Sequence, residues 1–410
     1  MSLTSKIFTG MLTGFFFGSV ISYLNLTSID FVNTYFIEGI LDTGGQIFIA
    51  LLKLMVVPLV FFSLTSGVSS LDKDMNLGKI AGKTLSLYLF TTAIAISLGL
   101  VIAIVLSPGT NLNLQISEQI SIPDSPGIKD VFINIFPTNP INAMAEGNML
   151  QIIVFSIFVG IALRSLGDQV ISIKEMIDKI TDIILKMVFI IINLAPYGVF
   201  CLIAVLFAEK GFTVLGDLSY YFFIVLSVLL MHALLTYSSL LIFFAKINPI
   251  KFFNKIRPVI LFAFSTSSSN ATMPITLKTV TENLGVNRKI ASFTVPLGAT
   301  INMDGTAIMQ GVATVFIANA YSIDLSLVDY LMVVLTATLA SIGTAGVPGV
   351  GIIMLAMVLT QVGLPAEGIG LIIGVDRLLD MVRTVVNVTG DSTVSTVVAK
   401  SENQLDRINY

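Results

Sequence analysis

The chain has 410 residues, of which 55% are hydrophobic and only 11% charged, with a formal net charge of -3. A soluble domain typically carries about 25% charged residues, so this composition excludes an ordinary soluble globular fold. The sum says little about partners, because the distribution of charge matters more, and no nucleic-acid partner is expected; a single cysteine, Cys201, in an apolar stretch excludes an internal disulfide framework or a thiolate metal cluster.

The N-terminal "MSLTSKIFTGMLTGFFFGSV" has a lysine before an apolar run but no small-residue cleavage site clearly after it, so it reads as a retained first helix. Apolar stretches near the roughly 20 residues that span a bilayer follow along the chain. They lie at Ile7–Leu24, Leu87–Leu106, Ile183–Phe207 and Tyr220–Phe244, with a shorter one at Leu150–Leu163. The predicted class is an all-α polytopic membrane protein. Between these spans, Ser107–Asn139 is rich in Pro, Asn, Ser and Asp and reads as an external loop. Its end, "FPTNP" at Phe136–Pro140, cannot continue a helix and marks re-entry into the bilayer. With a cytoplasmic N-terminus and alternating spans, lysines and arginines cluster on the inside, at Lys73–Lys83, Arg164–Lys179, Lys246–Arg257, Lys278–Lys289 and Lys400–Arg407. Only Lys129 and Lys210 fall outside, the asymmetry expected of cytoplasmic loops. The C-terminus is then cytoplasmic too, and the compartment is a plasma (inner) membrane.

The second half differs. "FSTSSSNATMPIT" (Phe264–Thr276) and "SIGTAGVPGVGI" (Ser341–Ile352) interrupt apolar runs with polar residues, glycine and proline, yet contain no Lys, Arg, Asp or Glu. Flanking runs of only about 10 to 14 residues suit re-entrant segments, and non-helical backbone at membrane depth must be buried in protein or line a watery cavity. Each hairpin precedes an apolar helix carrying a similar signature, expected to break it: Asn302-x-x-Gly305 in "INMDGT", then Asn387-x-x-Gly390 in "VNVTGD". Paired interrupted segments of this kind point to a transporter's midplane site built from an inverted repeat.

The charge is concentrated in "DRLLDMVRTVVNVTGD" (Asp376–Asp391). On a helix, Asp376, Asp380, Arg383, Asn387 and Asp391 are 4, 3, 4 and 4 residues apart and share one face, a stripe roughly 22 Å long. Ionisable residues inside a span mark an ion or substrate pathway; a structural salt-bridge stripe between helices is the plain alternative. Asp304 adds a fourth carboxylate against the single guanidinium of Arg383. Such a site needs co-bound cations or protons before an anion can enter. Oxygen donors without a usable His/Cys set favour a hard alkali cation. Arg383 offers a planar fork for a carboxylate and Asp380, one turn away, a partner for an ammonium, which together describe an acidic amino acid. A hydrolase reading of "TSSSNAT" fails, because the one histidine, His232, lies in an apolar span where packing is its default role. The chain is expected to be no enzyme, with no catalytic residues. Hydroxyls and amides at a hairpin tip rather cradle a carboxylate, unless the serines merely form a turn. "GTAGVPGVG" lacks the Lys-Ser/Thr ending of a phosphate loop.

"TSSSNATMPIT", "PLGATINMDGT", "ASIGTAGVPGVGIIMLAMVL" and "DMVRTVVNVTGD", with "FPTNP" and "LAPYGVF" (Leu194–Phe200), resemble the signature segments of the dicarboxylate/amino acid:cation symporters, the glutamate and aspartate transporters. The resemblance covers nearly the whole chain. It implies eight transmembrane helices plus two re-entrant helical hairpins, inverted repeats, a homotrimer and an elevator-type mechanism. Residues 1–70 would form scaffold helices 1 and 2, 71–107 helix 3 of the transport domain, and 108–212 the external loop and scaffold helices 4 and 5. Residues 213–410 would complete the transport domain. That part holds helix 6, hairpin 1 at about 250–283, helix 7 at about 289–317, hairpin 2 at about 328–362 and helix 8 at about 365–402.

Carried over by position, the resemblance implies that Asp380 binds the substrate ammonium and Arg383 its side-chain carboxylate, beside Thr306 and Thr384. Ser269, Asn387 and the backbone at Val347 would hold the main-chain carboxylate, with Gly351 lining the pocket. One sodium would use Asp391 with carbonyls of Gly298, Asn302 and Asn387. A second would use carbonyls of Thr300, Ser341, Ile342 and Thr344 near the Met303 sulfur, and a third Asp304, Asn302, Tyr88, Thr91 and Thr92. Asp376 has a supporting role. The implied activity is sodium-coupled import of L-aspartate, with glutamate or D-aspartate as further substrates, in a prokaryote. A proton-coupled C4-dicarboxylate or glutamate symporter is the alternative, and an anion channel the alternative of another class. Relatives carry an arginine either where this chain has Ser267 or where it has Met381, and Asn270 replaces a usual serine.

Overall fold

At Asn302 and Met303 the backbone leaves the helical region, with Asn302 at φ -89°, ψ 94° and Met303 at φ -117°, ψ 41°, and resumes a helix at Asp304. This break organises the computed structural model, which describes residues 3–69, 75–112, 114, 133, 136–211, 214–342, 346 and 349–406. The described residues are overwhelmingly helical, and their only β pairing is an isolated bridge between Val286 and Leu405. Helices satisfy every backbone group within their own segment, which is what an apolar surrounding demands.

The helices are α1 (Leu3–Tyr23), α2 (Thr43–Ser69), α3 (Met75–Leu106), α4 (Pro140–Glu146), α5 (Met149–Leu166), α6 (Ile171–Lys210) and α7 (Val214–Met231). Then come α8 (Pro249–Lys255), α9 (Arg257–Thr266), α10 (Ser269–Lys278), α11 (Arg288–Ile301), α12 (Asp304–Ala320), α13 (Leu327–Ala340), α14 (Val350–Gln361) and α15 (Ile369–Ser401). Wide π-helical turns extend three of them: Val32–Asp42 leads into α2, His232–Tyr237 and then Leu241–Ala245 follow α7, and Thr279–Asn283 follows α10. By length and composition, Val32–Ser69, Lys79–Leu106, Gln151–Glu209 and Leu215–Ala245 hold the helices able to cross a membrane among the described residues, with shorter apolar helices α9, α13 and α14.

"FPTNP" ends as a helix start. The Asn139 side chain accepts from the amides of Ile141 and Asn142, and Pro140 takes the first helical position, where its missing N–H costs nothing. α9 and α10 fold back on each other through a two-residue turn. Ser267 is left-handed at φ 49°, and Ser268 caps α10 by accepting from Ala271 N. α11 and α12 are the two halves of the interrupted helix expected at about 289–317.

The second signature behaves differently. α15 runs unbroken from Ile369 to Ser401, so "VNVTGD" does not interrupt it. The expectation of matched breaks is corrected: Gly390 is needed for space. A Cβ there would overlap the Asn302 amide nitrogen and the Tyr237 hydroxyl. Gly305 is comparably pressed against the backbone of Arg383. Gly305 therefore lets α12 approach α15, and Gly390 lets the Asn302 and Tyr237 side chains reach α15.

Two sets of helices pack internally. α1, α2, α5 and α6 form one, in which Gly10, Gly14 and Gly18 put α1 directly on the α6 carbonyls of Pro196, Phe200 and Ala204. α3, α7 and α9 to α15 form the other around α12, whose residues are nearly all buried. The sets meet where α14 lies on α2 and α15 on α6. A partly open cavity remains there, lined by apolar residues such as Phe48, Ile192 and Ile352 and by Asp376, Arg377 and Asp380.

Candidate functional site

Asp376, Asp380, Arg383, Asn387 and Asp391 are all buried, as the shared helix face requires. At its upper end the Arg383 guanidinium, 1% exposed, lies between two carboxylates. Nη2 donates to Asp380 Oδ1 at 2.9 Å, and Nη1 sits 2.8 Å from Asp376 Oδ1, close but misaligned for a hydrogen bond. Asp376 thus pairs with the guanidinium. Arg377, off the stripe, donates to Asp380 Oδ2 at 3.1 Å.

Below it a small, partly open cavity is lined by Ser267, Ser269, Met303, Thr306, Gly346, Val350, Gly351, Asp380, Thr384 and Asn387. Six expected substrate residues converge here: Ser269, Thr306, Gly351, Asp380, Thr384 and Asn387. Arg383 stands just behind Gly351, whose added Cβ would lie 3.6 Å from Nη1. The expected Val347 lies outside the described residues. The tips of the two interrupted segments meet over this space: Ser268 Oγ donates to the Gly346 carbonyl at 2.7 Å, and Asn270 N reaches the same oxygen at 3.2 Å. α10 starts at Ser269, so its N-terminal amides face the tip, a favourable place for an anion.

Deeper lie two carboxylates that pair with no lysine or arginine. Asn302 bridges Asp391 to its surroundings, donating from Nδ2 to Asp391 Oδ1 and to the Asn387 carbonyl, both at 2.9 Å. Gly298 abuts the same carboxylate, and a Cβ there would overlap Asp391 Oδ1. Asn302 Oδ1 is fully buried and has no hydrogen-bond partner. An orphaned acceptor of this kind costs about 1–3 kcal/mol, and it lies on the amide whose nitrogen, not its oxygen, faces Asp391. Asp391, Gly298, Asn302 and Asn387 are therefore brought together.

Asp304 opens α12 and accepts from Thr92 Oγ1 at 2.6 Å through Oδ1. Thr91 donates to the Tyr88 carbonyl, and the Tyr88 hydroxyl to the Thr294 carbonyl beside Gly298, so α3 contributes to this layer. Of the remaining expected set, the Met303 sulfur receives Asn387 Nδ2 at 3.5 Å. Thr300 and Ser341 bond carbonyls of their own helices, Leu297 at 2.9 Å and Thr338 at 2.7 Å, and Ile342 follows Ser341. Thr344 lies outside the described residues.

His232 is a correction. Instead of merely packing, it places Nε2 3.1 Å from Asp304 Oδ2, while Nδ1 is buried without a partner. Tyr237 donates to the same oxygen at 2.8 Å and lies 3.1 Å from the Val386 carbonyl. Polar groups in an apolar span were the available signal for both.

A guanidinium, hydroxyls and layered carboxylates buried around a small cavity inside helices this apolar are the marks of a membrane protein with a polar pathway. The chain belongs to the sodium:dicarboxylate symporter family, whose profile matches residues 3–401. It is 34% identical to the proton/glutamate-aspartate symporter of Escherichia coli over 99% of this chain and 94% of that protein. It is 32% identical to a proton/sodium-glutamate symport protein of Geobacillus stearothermophilus, covering 98% and 95% of the two chains. Excitatory amino acid transporter 3 of Mus musculus is 32% identical across 89% of this chain and 80% of its own.

Proposed function

We propose that the chain imports acidic amino acids, L-aspartate foremost, with glutamate and D-aspartate as further substrates, by sodium-coupled symport. The observation that carries this reading is the pairing of Asp380 and Arg383 at one wall of a hydroxyl-lined cavity. A dicarboxylate needs only the guanidinium; an amino acid uses both charges. When substrate enters, Arg383 turns from Asp380 to the side-chain carboxylate and Asp380 takes the ammonium. Ser269, Asn387 and the backbone at Val347 receive the other carboxylate.

Sodium neutralises the deeper layer. Asp391 with the carbonyls of Gly298, Asn302 and Asn387 supplies oxygen ligands of the kind a hard cation prefers, and the approach of Asn302 and Gly298 to the Asp391 carboxylate supports this set. Further sodium ions sit at Asp304 with Tyr88, Thr91 and Thr92, and at the carbonyls of Thr300, Ser341, Ile342 and Thr344. Bound sodium offsets the buried negative charge, so cation and substrate affinities are linked reciprocally. The set around α12 moves as the transport domain against the scaffold of α1, α2, α5 and α6. Separate internal packing of the two sets supports this elevator motion. An exposed apolar stripe on α6, Ile183, Met187, Ile190, Leu194 and Tyr197, supports burial against lipid or the other copies of a homotrimer. The protein sits in a plasma membrane with both termini cytoplasmic.

Proton coupling is the second reading, favoured by the direct contact of His232 with Asp304. Uptake of radiolabelled aspartate into proteoliposomes, with sodium and proton gradients imposed separately, tests both. Accumulation driven by sodium alone is expected. Accumulation driven by protons alone overturns the sodium assignment, and flux without accumulation identifies a channel.

A further inference from the structure

Arg377 takes no part in the binding chemistry set out above, yet it touches the residue on which amine recognition depends. It lies on α15 three residues before Asp380, and its Nη1 donates to Asp380 Oδ2 at 3.1 Å. Both side chains are largely buried, at 20% and 13% exposure. Arg383 holds the other oxygen, Oδ1, at 2.9 Å. Asp376, Arg383, Asp380 and Arg377 therefore alternate in sign along a continuous chain of ion pairs. Asp380 also belongs to the walls of both cavities, with Ser269 and Thr384 on one side and Gly349, Ile352 and Arg377 on the other. A cation approaching Asp380 through the substrate cavity meets a carboxylate whose two oxygens already carry guanidinium groups.

The geometry points to Arg377 as a built-in competitor of the substrate ammonium for Asp380, and hence as a determinant of selectivity between amine-bearing and amine-less dicarboxylates. The inference rests on Asp380 being the ammonium partner. A primary ammonium offers Oδ2 the same charge and the same N–H donors as Arg377 does, and two cations on one oxygen repel. Even with Oδ1 vacated by Arg383, Arg377 on Oδ2 already neutralises the carboxylate, so the ammonium binds at full strength only when Arg377 swings into the second cavity, between α15 and the helices α2 and α6. If the paired arrangement holds about nine-tenths of the empty molecules, the apparent dissociation constant rises about tenfold. An amine-less dicarboxylate leaves the pair intact and is drawn by its positive charge. Arg377 thus weakens amino-acid binding selectively.

Calorimetric binding of L-aspartate and of succinate to the purified full chain tests this, in saturating sodium at pH 5.5 so that both candidate cations are supplied. Arg377→Met and Arg377→Gln remove the charge, Arg377→Lys keeps it, and thermal melts establish folding. The ratio of aspartate to succinate affinity is expected to rise about tenfold in both uncharged variants and to stay near wild type in the lysine variant. A wild type that prefers aspartate, with the ratio unchanged or lowered in the uncharged variants, overturns the role of Arg377 alone. Folded Arg377→Met and Arg377→Gln variants that bind succinate as tightly as aspartate overturn the ammonium reading of Asp380, and the inference with it.

Discussion

Replacing Arg383 with cysteine removes the guanidinium expected to select the substrate carboxylate. Loss of one partner of a buried, hydrogen-bonded charge pair costs about 2–5 kcal/mol in binding. At about 1.4 kcal/mol per tenfold, L-aspartate affinity should fall roughly 30- to 4,000-fold. Arg383 is 1% exposed and also faces Asp376 at 2.8 Å. Its removal therefore strands a buried carboxylate, and stability should drop by about 3–5 kcal/mol as well. Asp380 keeps Arg377, so the stranded group is Asp376. The double variant Arg383→Cys with Asp376→Asn should recover most of the melting temperature while aspartate binding stays lost, and serine or alanine should bind in its place. Calorimetric titration at saturating sodium, with thermal melts in parallel, separates the two effects. Near wild-type aspartate affinity in the folded double variant would remove Arg383 from the site.

Asp391→Asn should weaken aspartate binding at low sodium and let it recover at high sodium, because cation and substrate affinities are coupled, with Asp304→Asn costing more. Binding titrated across sodium concentrations checks this, and a loss that sodium never repairs in a folded protein counts against the ligand role. Gly390→Ala should lower the melting temperature, since its Cβ overlaps the Asn302 amide: overpacking costs about 1–3 kcal/mol, against a helix-propensity gain of about 1 kcal/mol. A raised melting temperature would contradict that packing. Ser268→Ala deletes the 2.7 Å bond to Gly346 that joins the two tips. A typical bond contributes about 1 kcal/mol, so aspartate release in stopped flow should quicken about fivefold; an unchanged rate would show that the bond does not restrain opening.

The face of α15 was legible because the 4, 3, 4, 4 spacing of its charged and amide residues admits only one helical arrangement. The interrupted segments were legible from proline, glycine and hydroxyls placed where no charge accompanies them. Three features were not. The repeat of Asn-x-x-Gly implied two breaks, but a short sequence motif cannot distinguish a glycine that frees the backbone at a break from one that admits a neighbouring side chain. The hydrogen-bonding of His232 and Tyr237 to Asp304 depends on tertiary approach across about 70 residues, which periodicity within one span does not encode. Arg377 lies off the stripe by position, yet an arginine is long enough to reach back three residues to Asp380.

The wide winding of His232–Tyr237 has a consequence for how this segment tolerates change in length. In an ordinary α-helix, at about 100° per residue, positions five apart point roughly 140° away from each other. A turn closed by bonds from i to i+5 takes in about one residue more, which brings such positions nearly into line. His232 and Tyr237 are five apart and both reach Asp304 Oδ2. The extra residue in the turn acts as an insertion retained within a helix. Deleting any one residue between them would let the backbone relax to α geometry at no cost in hydrogen bonds. It would leave the two donors four positions apart, about 40° around the axis and so still on one face, and it would leave the segment beyond close to its original rotation. A one-residue deletion should therefore be tolerated better here than in the flanking α-helix, where it would turn everything beyond it by about 100°.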